Sequence, residues 1–408
     1  MLVDQAKQLE ISQDEASEWQ KRIERIDKKL TEKYYDGSGS HIKMVGSVGR
    51  GTAIAGNSDY DILYQLPQEV FKRINGHQGN GQSDLLQEIR DQILETYSTT
   101  SVSGDGQVVV VEFSNNGKIE ILPAFEQSDG SFKYPDSNNG GNWGITNPQP
   151  EIDSAISINN KSKGIYGNLC RMLRKWKNRQ GFVFKGLLID TLVYKFLETQ
   201  DEKPQLTWSL VEDLMDFLSK EDPSQAYWCA MGSGQRIYDS GQFVKHAKKL
   251  LKVLEKSRNK ENKLADAFGF KREQGKAPNE EFIEDKFQVD VRYTITLDCE
   301  ITADGFRDKK LSEYLFMGLK LKNHKRLTFQ VVRSNVPRYI NVEYYWKVRN
   351  VGPEAVGRER GEIKQDKRQH KEYSNFSGQH YVECYAVSNG IVIAMSHIDV
   401  PIDTENGC

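Results

Sequence analysis

Two aspartates near residue 60 are the side chains in this sequence best suited to chemistry. Asp59 and Asp61 lie in DYDILYQL, residues 59–66, whose pattern predicts a β-strand stopped by Pro67. Alternate side chains of a strand share a face, so both carboxylates project together. Such oxygen ligands suit hard cations like Mg²⁺. Two metals ~3.5–4 Å apart can clamp the attacking and leaving oxygens of a phosphoryl displacement.

A glycine-rich segment precedes this strand. In GSVGRGT, Gly46 and Ser47 offer a close backbone approach, a hydroxyl and a helix N-terminus, which together can cradle phosphates. Arg50 adds a cation. The segment fits neither G-x-x-x-x-G-K-[ST] nor G-x-G-x-x-G. We therefore interpret it as a phosphate-binding turn that serves the two aspartates.

A third carboxylate completes the pattern. Glu120 lies in KIEILPAF, residues 118–125, and is the preferred candidate, with Glu112 in VVVEF the weaker one. An isolated D-x-D is most often a solvated strand edge. Combined with the glycine-serine turn and the later acid-then-proline strand, it favours a nucleotidyltransferase site.

The surrounding elements predict an α+β first half. An apolar stripe predicts one helix over residues 4–35, and a second helix covers 83–97. Residues 107–113 and 118–125 predict a hairpin around Asn115-Asn116-Gly117. Residues 126–150 are rich in Gly, Asn and Pro and predict a loop. Residues 151–256 are helical in pattern.

The pattern changes in the last third. Residues 257–281 predict a linker, and 282–408 a β-rich domain with a short helix near 308–318. Strict alternation predicts a single strand over 289–301, and Asn389-Gly390 a hairpin turn. The basic run 358–368 is interpreted as a solvated loop.

Composition narrows the class of protein. The 408 residues are 37% hydrophobic and 28% charged, with a net charge of −2. This balance gives no global attraction for long nucleic acids or anionic lipid. No apolar run approaches the ~20 residues of a membrane span, and the N-terminus lacks signal-peptide features, so we expect a cytoplasmic protein. The five scattered cysteines predict reduced thiols, not a metal site.

These motifs together resemble a family. GSVGRGTAIAGNSDYDILYQL closely resembles the signature of the DNA polymerase beta-like nucleotidyltransferases, and within them the bacterial second-messenger oligonucleotide or dinucleotide synthetases, relatives of cyclic GMP-AMP synthase. KIEILPAF, CRMLRKWKN and KGLLIDTLVYKFL resemble the following parts of that family. IEDKFQVDVRYTITLDCEI, YYWKVRNVGPEA and HYVECYAVSNGIVIAMSHIDVPI resemble its adenylyl/guanylyl and synthetase C-terminal sensor domain. The resemblance covers nearly the whole chain.

The resemblance implies an architecture. It predicts a nucleotidyltransferase domain over 1–256, with a mixed-sheet catalytic core over about 36–150 and a helical lobe over about 151–256 that packs with the N-terminal helix. A sandwich-like sensor domain follows over 282–408.

The resemblance also implies residue roles. Asp59, Asp61 and Glu120 match its three metal-binding acids, the last usually Asp, so the longer Glu shifts the general base. Gly46 and Ser47 match the phosphate-contacting pair. Arg174, at a position where Lys is common, and Lys177 are candidate phosphate contacts, with solvated helix positions as the alternative. Trp176 is interpreted as core. The metal would be Mg²⁺, with Mn²⁺ as a substitute.

The implied activity is synthesis of a cyclic di- or oligonucleotide from nucleoside triphosphates, which activates a separate effector protein in antiphage defence. An activating ligand on the C-terminal domain is also implied. Two alternatives stay open: transfer of a nucleotide to an RNA, protein or small-molecule acceptor, and a catalytically degenerate nucleotide-sensing module.

Overall fold

A computed structural model describes residues 2–56, 59–97, 101–113, 117–200, 204–270, 280–302, 308–322, 324–376 and 378–403. Two compact units divide the chain. The first comprises residues 1–175 and 184–264, and the second comprises 176–183 and 265–408. The combination of helices with mixed and antiparallel sheets confirms the predicted α+β class.

The first unit is built on a seven-stranded mixed sheet. Its strands run in the order β1-β2-β5-β4-β3, with β6 added to β5 and β7 to β6. Only β2 and β5 pair in parallel among these neighbours. The strands are β1 (Ile42–Met44), β2 (Asp59–Gln65), β3 (Ser101–Asp105), β4 (Val108–Glu112), β5 (Lys118–Glu126), β6 (Phe132–Asp136) and β7 (Asn142–Thr146).

Five helices accompany this sheet: α1 (Leu2–Lys7), α2 (Gln13–Tyr34), α3 (Gly46–Gly49), α4 (Gln68–Asn75) and α5 (Gly81–Thr96). The single helix predicted over 4–35 is therefore two, because the Ser12 hydroxyl accepts a hydrogen bond from the Glu15 amide and starts α2. The stripe of α2 packs in one core with α5 and strands β2, β4 and β5. This core contains the sheet, while Glu10, before α2, accepts a hydrogen bond from Arg171 of the helical region; packing of the N-terminal helix with the helical lobe stays a prediction.

The predicted loop over 126–150 was wrong, because β6 and β7 form a hairpin there. Phe132 is buried and anchors it. Asn139, Gly140 and Gly141 all have positive φ, which explains why the composition resembles a loop. The β4–β5 hairpin is confirmed, although Asn115 and Asn116 of its turn lie outside the described residues.

The helical region of the first unit is confirmed. It contains α6 (Gln149–Lys161), α7 (Ile165–Gln180), α8 (Gly186–Glu198), α9 (Trp208–Ser219), α10 (Gln242–Glu255) and α11 (Lys260–Ala267), with a ribbon of β8 (Trp228–Cys229) and β9 (Arg236–Ile237). Helix α11 lies within the segment predicted as a linker. Boundaries between the units fall inside α7, whose residues from Trp176 onward belong to the second unit, and inside α11, after Leu264.

The second unit is the predicted β-rich sandwich. One sheet has the order β10-β18-β17-β14-β15 and the other β12-β11-β13-β16, with a shared core that contains Phe329, Trp346 and Val382. Its elements are β10 (Gln288–Val289), β11 (Ile295–Thr302), β12 (Lys309–Lys310), α12 (Leu311–Phe316), β13 (Arg326–Ser334), β14 (Glu343–Asn350), β15 (Arg360–Asp366), β16 (Gln369–Tyr373), β17 (Gln379–Ser388) and β18 (Ile391–Pro401).

Two expectations for this unit need correction. The single strand over 289–301 is interrupted between β10 and β11, because the chain crosses there from one sheet to the other. Much of the basic run is strand β15, not a loop. The Asn389-Gly390 turn is confirmed, with φ values of 48° and 74° that suit these residue types.

No helix within the described ranges is both long and apolar enough to cross a membrane. Cys170, Cys229, Cys299 and Cys384 are free thiols.

Candidate functional site

The three predicted acids lie on one face of two neighbouring strands. In the parallel pair β2 and β5, Asp59 is opposite Lys118 and Asp61 is opposite Glu120. The intervening residues Tyr60 and Ile119 are buried in the core on the other face. Alternation along each strand therefore turns these four side chains to the same side.

The resulting array, which we call the acidic tetrad, contains three carboxylates and one ammonium group. The Lys118 ammonium donates a hydrogen bond to Glu120 and lies 3.8 Å from Asp59 Oδ1. Burial, and then the negative charges of Glu120 and Asp59, raise the pKa of Asp61 to about 6. The tetrad thus holds more negative charge than its cations offset.

The glycine-serine turn lies directly against this array. The Val45 amide donates to the carbonyl of Asp61 at 3.0 Å, and Gly46 follows with a φ of 60°. A Cβ at Gly46 would come 1.8 Å from Asp61 Oδ2, so a side chain here would displace the carboxylate. Glycine is required for this approach as well as for its backbone conformation.

Ser47 is half-buried in the short helix α3. Its carbonyl accepts hydrogen bonds from the amides of Thr52 and Ala53, which close the turn. The structure thus brings together five of the eight predicted site residues: Gly46, Ser47, Asp59, Asp61 and Glu120.

Arg50 and Arg174 belong to a different environment. Both guanidinium groups bind the fully buried Asp190 of α8, with Arg50 Nε 2.8 Å from Oδ2 and Arg174 Nη1 2.8 Å from Oδ1. Thr52 also donates to Asp190, at 2.9 Å. Burial opposes ionisation of Asp190, but Arg174 and Arg50 hold its pKa below the usual range. These arginines form a buried ionic cluster with Asp190, and their role as phosphate contacts stays a prediction.

Lys177 is placed elsewhere again, in the second unit. Its ammonium donates to Asp290 Oδ1 at 3.0 Å and to the Val291 carbonyl at 2.8 Å. Trp176, beside it, is fully buried against Phe182, as its interpretation as core predicts. Lys177 therefore holds the end of α7 to the segment after β10 and is not part of the tetrad.

Sequence reasoning missed Lys118 and Asp190. Lys118 could have been found from its position two residues before Glu120, which places it on the same strand face. Asp190 could have been found as the single carboxylate inside the apolar run GLLIDTLVYKFL. Glu112, the weaker candidate acid, pairs with Lys118 on the β4 side, so it borders the tetrad.

Among the residues that the structure describes, no three His, Cys, Asp or Glu side chains are arranged as a ready metal cluster. The chemistry of the tetrad nonetheless fits a divalent cation. Three carboxylates converge there, and the pKa of Asp61 is raised first by burial and then by the charges of Glu120 and Asp59, a repulsion that a bound cation would relieve.

Comparisons with known proteins follow the division of the chain. Residues 2–159 match the family model of the Second Messenger Oligonucleotide or Dinucleotide Synthetase (SMODS) domain. Residues 277–403 match that of the Adenylyl/Guanylyl and SMODS C-terminal sensor domain. A search of curated proteins found no match.

Similar solved structures include three CD-NTase-type proteins. The Escherichia coli MS115-1 CdnC in its HORMA-deltaN complex is 15% identical, with 64% of this chain and 93% of that chain covered and a TM-score of 0.47. Bradyrhizobium diazoefficiens CdnG with GTP is 10% identical (66% and 95% covered, TM-score 0.48). Escherichia coli DncV with 3'-deoxy GTP is 15% identical (56% and 68% covered, TM-score 0.41).

The two domain matches and the tetrad lead to one conclusion. The chain carries a Second Messenger Oligonucleotide or Dinucleotide Synthetase domain in its first unit and the matching C-terminal sensor domain in its second, and these two domains support a nucleotidyltransferase of the CD-NTase type.

Proposed function

We propose that this enzyme joins nucleoside triphosphates, ATP, GTP or both, into a cyclic di- or oligonucleotide with release of pyrophosphate. The observation that supports this most directly is the convergence of Asp59, Asp61 and Glu120 beside Gly46. A phosphate-binding turn and an acidic face that meet at one carboxylate are the parts that nucleotidyl transfer requires.

Asp59, Asp61 and Glu120 would hold the metal, Mg²⁺ or its substitute Mn²⁺. When bound, the ion supplies charge neutralisation at the reacting phosphate. The Gly46-Ser47 turn binds the triphosphate, because its backbone approaches Asp61 without a side chain at Gly46 and Ser47 supplies a hydroxyl to the turn. Glu120 accepts the proton of a ribose hydroxyl, which then attacks the α-phosphate in line. A second transfer closes the ring.

The basic residues predicted to bind phosphate take supporting roles in this proposal. Arg50 and Arg174 hold Thr52 and α8 through Asp190, which fixes the end of the glycine-serine turn. Lys177 is committed to Asp290. None of the three is therefore assigned to the nucleotide.

We further propose that the product is a signal of the CBASS type in antiphage defence, read by a separate effector protein in the cytoplasm. The sensor-domain match supports an activating ligand on the second unit. The CdnC structure is a complex with a HORMA protein, which shows that one protein of this type takes a protein partner. A membrane or a long nucleic acid is not part of this proposal.

The test is to incubate the purified chain with all four nucleoside triphosphates and Mg²⁺, treat with phosphatase, and identify products by mass spectrometry. The blank is Asp59→Asn/Asp61→Asn, and Asp213→Asn, exposed on α9, is the matched control. A phosphatase-resistant product absent only from the blank is expected.

Other outcomes would favour the alternatives. A linear product alone, or label from a radioactive nucleotide on an added acceptor, would point to transfer onto RNA, protein or a small molecule. Nucleotide binding with equal, background turnover in wild type and blank would point to a sensing module.

A further inference from the structure

Lys118 is an unassigned cation within the acidic tetrad. It lies directly opposite Asp59 and shares its strand face with Glu120. Neighbouring strands are only about 4.8 Å apart, so the backbone pairing places the Lys118 side chain beside these acids, with its ammonium within reach of them.

The contacts of Lys118 are with the residues that would hold the metal. Its ammonium donates to Glu120 and lies 3.8 Å from Asp59 Oδ1. On its other side, Glu112 of β4 is the cross-strand partner. The side chain is one-fifth exposed, so it has a route towards solvent.

We propose that Lys118 is a resident counter-ion of the metal site: it neutralises Glu120 and Asp59 in the metal-free enzyme and is displaced when the divalent ion arrives. This inference rests on the metal site of the proposed function. A lysine suits the role because its charge sits on a flexible four-carbon stem. Lys118 is thus a positioning residue that determines at which stage the divalent ion binds to the tetrad.

The consequence is ordered loading. A free divalent ion must compete with the ammonium for Glu120 and Asp59, so it binds weakly. A nucleoside triphosphate brings the metal together with phosphate oxygens, which offer the displaced ammonium a new partner. The site therefore fills with metal and nucleotide together.

The test measures Mn²⁺ binding to the full chain without nucleotide, from the free Mn²⁺ signal in electron paramagnetic resonance at fixed pH and ionic strength. Lys118→Met should bind Mn²⁺ about tenfold more tightly than wild type, because a positive charge next to the ion is removed. Lys118→Gln should do the same and guards against misfolding of one variant.

Two controls isolate the effect. Lys118→Arg keeps the charge and should stay near the wild-type affinity. Lys21→Met removes a lysine exposed on α2 and should leave the affinity unchanged. A non-hydrolysable triphosphate should tighten Mn²⁺ binding strongly in wild type and much less in Lys118→Met.

The possible outcomes distinguish failure of the counter-ion role from failure of the proposed nucleotidyltransferase function on which it rests. One result would overturn the counter-ion role alone. In it, wild type binds Mn²⁺, Asp59→Asn does not, and both Lys118→Met and Lys118→Gln bind Mn²⁺ no more tightly than wild type. Absence of Mn²⁺ binding in wild type and in both variants, with and without the triphosphate, would overturn the metal site and this inference together.

Discussion

The first unit holds two clusters of charged residues that differ in how completely their charges are balanced. In the acidic tetrad, three carboxylates share one ammonium, and the pKa of Asp61 is raised. In the cluster around Asp190, two arginines and Thr52 converge on one carboxylate, and its pKa is lowered. The first cluster is partly open to solvent and the second is buried.

This difference distinguishes a candidate active site, the tetrad, from a structural ion-pair cluster around Asp190. Buried charges must be paired and hydrogen-bonded, because leaving one uncompensated is costly. The Asp190 cluster satisfies that rule within the protein. The tetrad does not, and its excess negative charge creates the demand for a cation that the protein itself only partly supplies. We therefore expect the tetrad to determine activity and the Asp190 cluster to determine stability.

The largest expected effect is on activity. Asp61→Asn should lower pyrophosphate release by about 10³-fold or more, because it removes a ligand and a charge that act on the transition state. The melting temperature should stay the same or rise slightly, since the substitution relieves repulsion from Asp59 and Glu120. Turnover above one-tenth of wild type would show that the tetrad is not the site.

Asp190→Asn should have the opposite effect, with a large loss of stability and a smaller loss of activity. The substitution leaves Arg174 without its carboxylate and Arg50 with only Glu151, 3.7 Å away, which should cost about 3–5 kcal/mol in the free energy of unfolding of the first unit. Denaturant titration measures this loss, and residual activity below the transition should exceed that of Asp61→Asn. The double variant Asp190→Asn/Arg174→Met removes one orphaned charge and should recover part of the stability. If Asp190→Asn were as stable as wild type, the Asp190 cluster would not have the stabilising role assigned to it.

The sequence predicted Asp59 and Asp61 from local evidence, whereas Glu120 needed the pattern of a strand about sixty residues later. Asp59 and Asp61 alternate within one strand, and the turn that serves them begins only thirteen residues earlier, at Gly46. Strand alternation alone then fixes a shared face. Predicting β2, β5 and α5 needed no knowledge of the tertiary fold.

The roles of the cations could not be predicted in the same way. Arg50 and Arg174 are separated from each other by more than a hundred residues, and only the tertiary fold brings both to Asp190. From the sequence pattern alone, an arginine that contacts a phosphate cannot be distinguished from an arginine that pairs with a buried carboxylate. The missed β6–β7 hairpin has a similar cause, because turn residues dominate its composition while few residues, among them Phe132 and Pro135, are buried.

In the second unit, Lys177→Met should lower stability and leave nucleotide binding almost unchanged. Loss of the ammonium leaves Asp290 and the Val291 carbonyl without this donor, which should cost about 2 kcal/mol of stability. The KM for nucleotide should change less than about twofold, since the side chain holds a strand segment rather than a phosphate. Asp290→Asn completes a double-mutant cycle with it. A large rise in KM with unchanged stability would return Lys177 to the nucleotide site.

The smallest expected effect concerns His380, a buried group of the second unit whose Nδ1 has no hydrogen-bond partner among the described residues. Burial, with a further contribution from Arg360 and against that of Glu372, lowers the pKa of His380 to about 4. The unfolded chain takes up this proton near pH 6.5, whereas the native protein does not until about pH 4. Stability is therefore lost as the pH falls through this window.

The loss assigned to His380 should be about 1–2 kcal/mol between pH 7 and pH 5. His370 and His397 have raised pKa values and act with the opposite sign, so the total slope of wild type does not isolate it. The measurement is the difference between wild type and His380→Leu, each unfolded in denaturant at both pH values. If that difference does not change with pH, His380 is not buried in its neutral form. If the stability of wild type falls relative to that of His380→Leu on acidification, as expected, the second unit carries an uncompensated group whose cost appears in stability, whereas the uncompensated charge of the tetrad appears in catalysis.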